Sequence, residues 1–332
     1  MAENSSLPTD VVTVIPDGEV VWGIQLPIQS QSSIYVSKWE TTASIDDLAM
    51  IAKAADDSGC FYLGVCDHTA IPERLVEAMG SVWYDTVATL GWLSGITTRT
   101  RLLSHVLVLA QRHPLRAAKE LATLDLLSNG RLIIGVGAGH VTEEFDQIGG
   151  PDSFASRGRD TDEAVSALAQ ALTTETPTHH GSRWSYEGMH IAPRPVQSPR
   201  PPIWIGGSSG PALRRTALYG DGWLPQGTRR KDLAGQIGQI VEMRAEHRNG
   251  APIDIGTIVE PLYVTEAEGQ EAGWDIPSYV MVGGPERIAA SLNELTAMGV
   301  NQLQIAFRVR SAEEFAEQTR RFGELVAPLL HR

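Results

Sequence analysis

Two kinds of segment alternate along the chain. Short, nearly continuous apolar runs such as "VVWGIQL" (20–26) and "FYLGVC" (61–66) are followed by longer stretches whose apolar residues recur every three or four positions. The first kind predicts strands buried on both faces, as in a parallel sheet, and the second predicts amphipathic helices. "SIDDLAMIAKAADDSG" (44–59) follows the first strand, with Ser44 as N-cap, Asp47 three residues on and Gly59 as the stop. "WYDTVATLGWLSGIT" (83–97) follows the second. The third pair is "RLLSHVLVLA" (101–110) with "PLRAAKELATLDLLS" (114–128), where Pro114 suits a first helical turn. The fourth strand is "RLIIGVG", and its helix (159–174) is reached through a polar, Gly-rich loop. "PPIWIGG" with "PALRRTALYG", and "GWLPQG" with "KDLAGQIGQIVEMRAEHR", make the fifth and sixth pairs. Residues 253–264 with 285–299, and 301–307 with 311–330, complete the set.

Eight β–α pairs predict an α/β chain folded as a (β/α)8 TIM barrel, a single domain over 1–332, with a doubly wound sheet as the alternative. The Pro-rich stretch 175–202, with its strand-like "RWSYEGMHI", predicts a hairpin or extended rim insertion between strands 4 and 5. "RLIIGVGAGH" (131–140) tests the alternative, because a strand running into glycines suggests a dinucleotide fingerprint. Its spacing is Gly-x-Gly-x-Gly, with His140 where the third glycine of that fingerprint would stand, and a long loop follows it. It is therefore expected to be the fourth barrel strand, with Gly137, Ala138 and Gly139 giving clearance at the mouth.

Composition narrows the function. A formal charge of −13 over 332 residues argues against general nucleic-acid or anionic-membrane binding. Two cysteines, Cys60 and Cys66, make neither a disulfide framework nor a zinc pattern. The polar N-terminus lacks a leader, and no apolar run approaches a membrane span, so a cytoplasmic enzyme is expected.

In a barrel the chemistry gathers where strands end. Those positions are Gln25 and Pro27, Asp67 and His68, Gln111 to His113, Gly137 to His140, Gly206 to Ser209, Gln226, Glu260 and Arg308. His68 can shuttle a proton near neutral pH; a plainer possibility is a capping Asp67 beside a solvated histidine. Ser104 and His105 interrupt an apolar strand, marking either a hydrogen-bonded core histidine or a distortion that faces a ligand. Arg112, His113, Arg116 and Lys119 offer one or two contacts to an anion. "IGGSSGPAL" places Gly206, Gly207, Ser208 and Ser209 before a helix, which suits a phosphate or simply a tight capped turn. His179–His180 lies in the insertion without a carboxylate at ligand spacing and reads as a solvated turn. No metal-ligand, Walker or Gly-x-Ser-x-Gly pattern is present.

Taken together, "GIQLP", "CDHTAIP", the stretch from "TRTRLLSHVLVLAQRHP" to "GVGAGHVTEEFDQIG", "RGRDTDEAV", "PPIWIGGSSGPALRRTALYGDGWLP" and "VGGPERIA" resemble the bacterial luciferase-like monooxygenase superfamily. The resemblance is greatest to its branch that uses the deazaflavin coenzyme F420, with FMN as the alternative. It implies a barrel with an insertion near its C-terminal face, an oxidoreductase that exchanges a hydride with a small organic substrate, and contact between 206–210 and the coenzyme phosphate. It also implies that Gly137, Ala138 and Gly139 line the ring or tail, that Asp67–His68 lies beside the ring, and that a cis peptide at His105–Val106 supports it. His140 stands where sugar-phosphate members carry an acid, which argues against a sugar-phosphate substrate and makes it a second catalytic candidate. A separate reductase and a homodimer belong to the same set of expectations. A non-catalytic flavin-binding barrel is the remaining alternative.

Overall fold

A computed structural model describes residues 10–30, 32 and 36–332; the polar N-terminal stretch 1–9 on which the leader expectation rests lies outside the described residues. Eight parallel strands form the barrel. They are β1 (Val21–Gln25), β2 (Tyr62–Val65), β3 (Arg101–Ser104), β4 (Leu132–Gly137), β5 (Ile203–Gly206), β6 (Gly222–Leu224), β7 (Asp254–Ile258) and β8 (Gln302–Ile305). Each pairs with the next, and β1 closes the ring by pairing with β8, Val21 opposite Gln302. The helices are α1 (Ile45–Asp57), α2 (Thr86–Ile96), α3 (Pro114–Leu127), α4 (Ser153–Thr173), α5 (Gly210–Tyr219), α6 (Arg230–Arg248), α7 (Pro285–Thr296) and α8 (Ala312–Arg321). Ser44 caps α1 in a reciprocal box with Asp47, and Pro114 opens α3.

Three segments differ from the sequence pattern. The loop after β4 is not irregular throughout: a helix, Thr142–Gly149, starts five residues after the strand, and α4 begins at Ser153 rather than 159. Its few apolar residues hid a one-sided face that buries Phe145. The seventh apolar run breaks at Val259–Pro261. Its second half, Leu262–Val264, keeps one parallel bridge, Leu262 opposite Phe307 just beyond β8, and pairs along its length with Met281–Gly283. Both additions follow barrel strands and so lie on the C-terminal side. The stretch 175–202 is instead an α-to-β connection. It runs up the flank between α3 and α4, forms the two-residue hairpin His179–His180 with Ser185–Tyr186, and meets His113 at the start of α3 through the Tyr186 ring. His179 is not a solvated turn residue: its Nε2 lies 3.3 Å from Glu163 on α4, which also accepts the amides of Ser182, Arg183 and Trp184. That partner lies sixteen residues back on a helix, beyond the reach of local spacing.

Two apolar layers hold the molecule together. The larger packs the helices onto the outside of the strands. The smaller, Ile15, Tyr62, Leu103, Ile133, Trp204 and Leu224, fills the barrel's N-terminal half. Trp204 and Tyr62 meet edge to face at 6.0 Å. The segment before β1 plugs that end, with the Val12 and Val14 amides donating to Asp221 and Asp254. Large inward residues fit because a neighbouring strand contributes glycine beside them. Gly222 is level with Trp204 across the β5–β6 ladder, and a Cβ there would overlap the indole. Gly235 is different: it is exposed in mid-α6 with open space beside it.

These two glycines predict opposite outcomes. Gly222→Ala should destabilise by about 2 kcal/mol through overpacking, whereas Gly235→Ala should stabilise by about 0.5–1 kcal/mol through helix propensity. Urea unfolding of both variants checks this, and equal effects would refute the packing account.

Candidate active site at the barrel mouth

The mouth is organised by an irregularity in β3. Leu102 lies opposite Leu132 of β4, but Leu107 lies opposite Val136, so β3 uses one more residue than β4 over the same span. That is a bulge. Ser104, unexpected in an apolar strand, supplies the missing ladder bonds: its Oγ donates to the Gly135 carbonyl (2.9 Å) and accepts the Gly135 amide (3.0 Å). The His105–Val106 peptide is cis. Val106 then sits between β4 and β5, where a Cβ on Gly137 would overlap its Cγ2 and one on Gly206 would come within 2.7 Å of its Cγ1. Gly137 of "GVGAG" and Gly206 of "IGG" therefore first make room for Val106. Gly139 has φ +71°, and its α-hydrogen faces the Phe145 ring.

His105 is buried, and neither ring nitrogen has a partner. Burial alone lowers its imidazole to about 4. Gln111 Nε2, Arg112 Nε and Gln304 Oε1 are likewise buried without a partner. Unpaired buried polar groups are costly and rare, and these four residues lie in or after the strands β3 and β8; Trp39, Thr100, Trp204 and Trp274 carry others elsewhere.

Asp67 and His68 follow β2 and take different roles. Asp67 is buried and accepts from the Val108 amide (2.8 Å), Arg112 Nη2 (2.8 Å) and Thr86 Oγ1 (3.2 Å). It ties the loop after β2 to the strand segment beyond the bulge. His68 Nδ1 lies 3.0 Å from Glu144 on the short helix after β4. The other Glu144 oxygen accepts the amides of Thr69 (2.6 Å) and Ala70 (3.2 Å). Burial would raise the Glu144 carboxyl, but the bonds from His68 and the two amides outweigh it and hold it below the ordinary value. The His68 ring meets the Trp83 ring at 4.5 Å and the His140 ring at 5.4 Å, both close to edge on. Partial burial and then the neighbouring His68 lower the His140 imidazole. The two histidines named from sequence thus stand together. Glu144 and Trp83 were not legible as partners, since nothing local links positions 68, 83 and 144.

The remaining candidates are engaged within the protein. Arg116 pairs with Glu120, Lys119 donates to the Ala192 carbonyl, His113 caps α3, and Arg112 is held by Asp67. Ser209 caps α5. Ser208 Oγ bonds Thr228 and accepts the Gln226 amide, lashing the loop after β5 to the loop after β6. Gly207 has φ +105°. Burial pushes the Cys66 thiol up to about 11, which disfavours the thiolate.

The strand ends of this parallel (β/α)8 barrel thus carry a carboxylate-held histidine, a second histidine and unpaired imidazole and amide groups. The family model for luciferase-like monooxygenases matches residues 22–276, so the chain belongs to that family and is an oxidoreductase. It is 30% identical over 220 residues to an uncharacterized protein of Mycobacterium tuberculosis, covering 63% of this chain and 75% of that one. It is 28% identical to the FMNH2-dependent dimethylsulfone monooxygenase of Pseudomonas putida, covering 56% of this chain and half of that enzyme. The fold matches the monooxygenase RslO1 of Streptomyces bottropensis with a TM-score of 0.74 at 21% identity, covering 93% and 99% of the two chains. It matches an F420-dependent secondary alcohol dehydrogenase with a TM-score of 0.73 at 15% identity, covering 95% and 100%. No helix among the described residues is long and apolar enough to cross a membrane.

Two predictions follow from the mouth. Val106 and Gly137 should be coupled: Gly137→Ala should destabilise the parent clearly but a Val106→Ala background much less, with an interaction energy of about 1 kcal/mol or more. Additive effects in a double-mutant cycle would refute the seat proposed for Val106. His105 gives a pH dependence. Its folded value near 4 lies below the unfolded value of about 6.5, so the unfolded chain takes up the proton first. Stability contributed by neutral His105 is full above pH ~6.5 and falls by up to ~1.4 kcal/mol per pH unit toward pH 4. Asp254, raised to about 6 by burial, works the opposite way, so the parent-minus-variant difference is the quantity to follow. Urea midpoints of His105→Gln between pH 7 and 4 should lack the His105 slope; curves parallel to the parent would contradict it.

Proposed function

We propose that the protein is an F420-dependent oxidoreductase that moves a hydride between the deazaflavin and a small organic substrate at the barrel mouth. The observation that carries this reading is His68, held by Glu144 with its Nε2 free of partners among the described residues. Hydride exchange with a carbonyl or alcohol needs a proton partner beside the reacting carbon, and a fixed imidazole suits that task. When bound, the coenzyme supplies the hydride chemistry. The unpaired atoms of His105, Gln111 and Gln304 fit the carbonyl and N–H groups along the edge of such a ring. The joined loops carrying Gly206, Gly207, Ser208, Ser209 and Thr228, with the N-terminus of α5, suit its phosphate. Gly137, Ala138 and Gly139 belong to the wall beside Val106. Asp67 holds the loop, His68 exchanges the proton, and His140 assists from the rim.

Because Arg112 Nη2 is held by Asp67 and Lys119 donates to the Ala192 carbonyl, the substrate class favoured is uncharged: secondary alcohols, ketones or unsaturated carbonyl compounds. The FMN reading, with a separate reductase supplying reduced flavin, draws support from the likeness to the FMNH2-dependent monooxygenase. Titrating the protein with oxidised F420 and with FMN, followed by fluorescence, separates the two. Binding of F420 with weak or no binding of FMN is expected; tight FMN binding with no response to F420 would overturn the proposal. On a panel of secondary alcohols and ketones, His68→Ala should lower turnover at least about 100-fold while leaving coenzyme binding within a few-fold.

A further inference from the structure

We propose that Glu144 is the positioning residue that fixes His68 as the Nδ1–H tautomer, so that the Nε2 lone pair faces the substrate. This rests on His68 as the proton partner. Ionised Glu144 can only accept hydrogen bonds, so the imidazole nitrogen 3.0 Å from it must be the one that carries the hydrogen. In a neutral ring that leaves Nε2 bare, and Nε2 has no partner among the described residues. The carboxylate cannot turn away, because the Thr69 and Ala70 amides hold its other oxygen. Those amides belong to the two residues after His68, so one carboxylate sets both the path of the loop and the proton on the ring. Trp83 and His140 then limit the ring plane from two sides.

The step balances simply. In the oxidative sense the substrate C–H bond breaks and its hydride passes to the deazaflavin, while the O–H bond breaks and its proton forms Nε2–H. The carbonyl forms, and the imidazolium rests on the Glu144 carboxylate. The reductive sense reverses each movement. His140 is the other titratable ring facing His68, and Asp67, although adjacent in sequence, is spent on Val108, Arg112 and Thr86. An orienting carboxylate of this kind acts on the tautomer and on the imidazolium without contacting substrate.

Glu144→Gln is the informative variant. The Thr69 and Ala70 amides still need an acceptor, so the amide oxygen stays on them and the NH2 group faces Nδ1. That arrangement inverts the tautomer. Nitrogen NMR of histidine-labelled protein without coenzyme, at a pH well above the ordinary histidine value, reads it directly, with His68→Ala assigning the signal. The parent should carry its proton on Nδ1 and the variant on Nε2. On the panel substrate best used by the parent, the variant should lose kcat about 100-fold or more with KM within a few-fold. A parent proton on Nε2 overturns the proposal, and this measurement needs no variant to fold. An unchanged tautomer in Glu144→Gln, or an inverted one with parental kcat, overturns it as well. The spectra involve no coenzyme, so failure of the F420 reading appears in the titration and leaves the tautomer result standing.

Discussion

The bulge in β3 is the constraint on which the mouth depends. One extra residue between Leu102 and Leu107 cannot be absorbed by a closed parallel ladder without replacing the bonds it displaces. Ser104 replaces them with a hydroxyl that donates to and accepts from Gly135. The displaced Val106 needs space from both following strands, and Gly137 and Gly206 provide it. The Val108 amide beyond the bulge turns to Asp67, and so draws the loop that carries His68. Serine, two glycines and an aspartate from four separate stretches thus answer one geometric fault.

The two ends of the barrel are built on opposite rules. At the N-terminal end, Tyr62, Trp204 and Leu224 interdigitate with neighbouring glycines, and the segment before β1 seals the base. Arg200 pairs with Asp221 there although both are fully buried. At the C-terminal end the core stops, and buried polar atoms of His105, Gln111 and Gln304 are left over. A ligand seated at that end would satisfy them.

The barrel was legible because its strands are buried on both faces and read as continuous apolar runs, and because Ser44, Pro114 and Ser209 mark helix starts. Errors came where a segment's fate depends on something distant. The run 253–264 is uniformly apolar, yet only its first half meets β8 in the ladder, while the second pairs with 281–283. The helix Thr142–Gly149 is mostly polar, and its burial of Phe145 depends on Val108 and Gly139. Of the site, strand ends located Asp67, His68 and His140 by topology alone. The glycines were read as clearance for a ligand; beside Gly137 and Gly206 it is Val106 that takes up space, and beside Gly139 it is Phe145. Glu144 stayed hidden because a carboxylate in "TEEF" looks like ordinary N-terminal helix charge.

That resemblance to helix charge has a physical basis. Glu143 and Glu144 both stand in the first turn of a helix, where negative charge is favoured, so composition cannot separate them. Their surroundings do: Glu143 points to solvent and pairs with exposed Arg74, an exchange of little net worth, whereas Glu144 turns inward onto three donors from the loop after β2. The helix after β4 therefore carries a carboxylate across the mouth to the histidine after β2. In a barrel each strand end carries its own loop, and the Glu144 carboxylate bonds two of these loops together. The helix that the sequence pattern misread as a loop is the element that makes that bond.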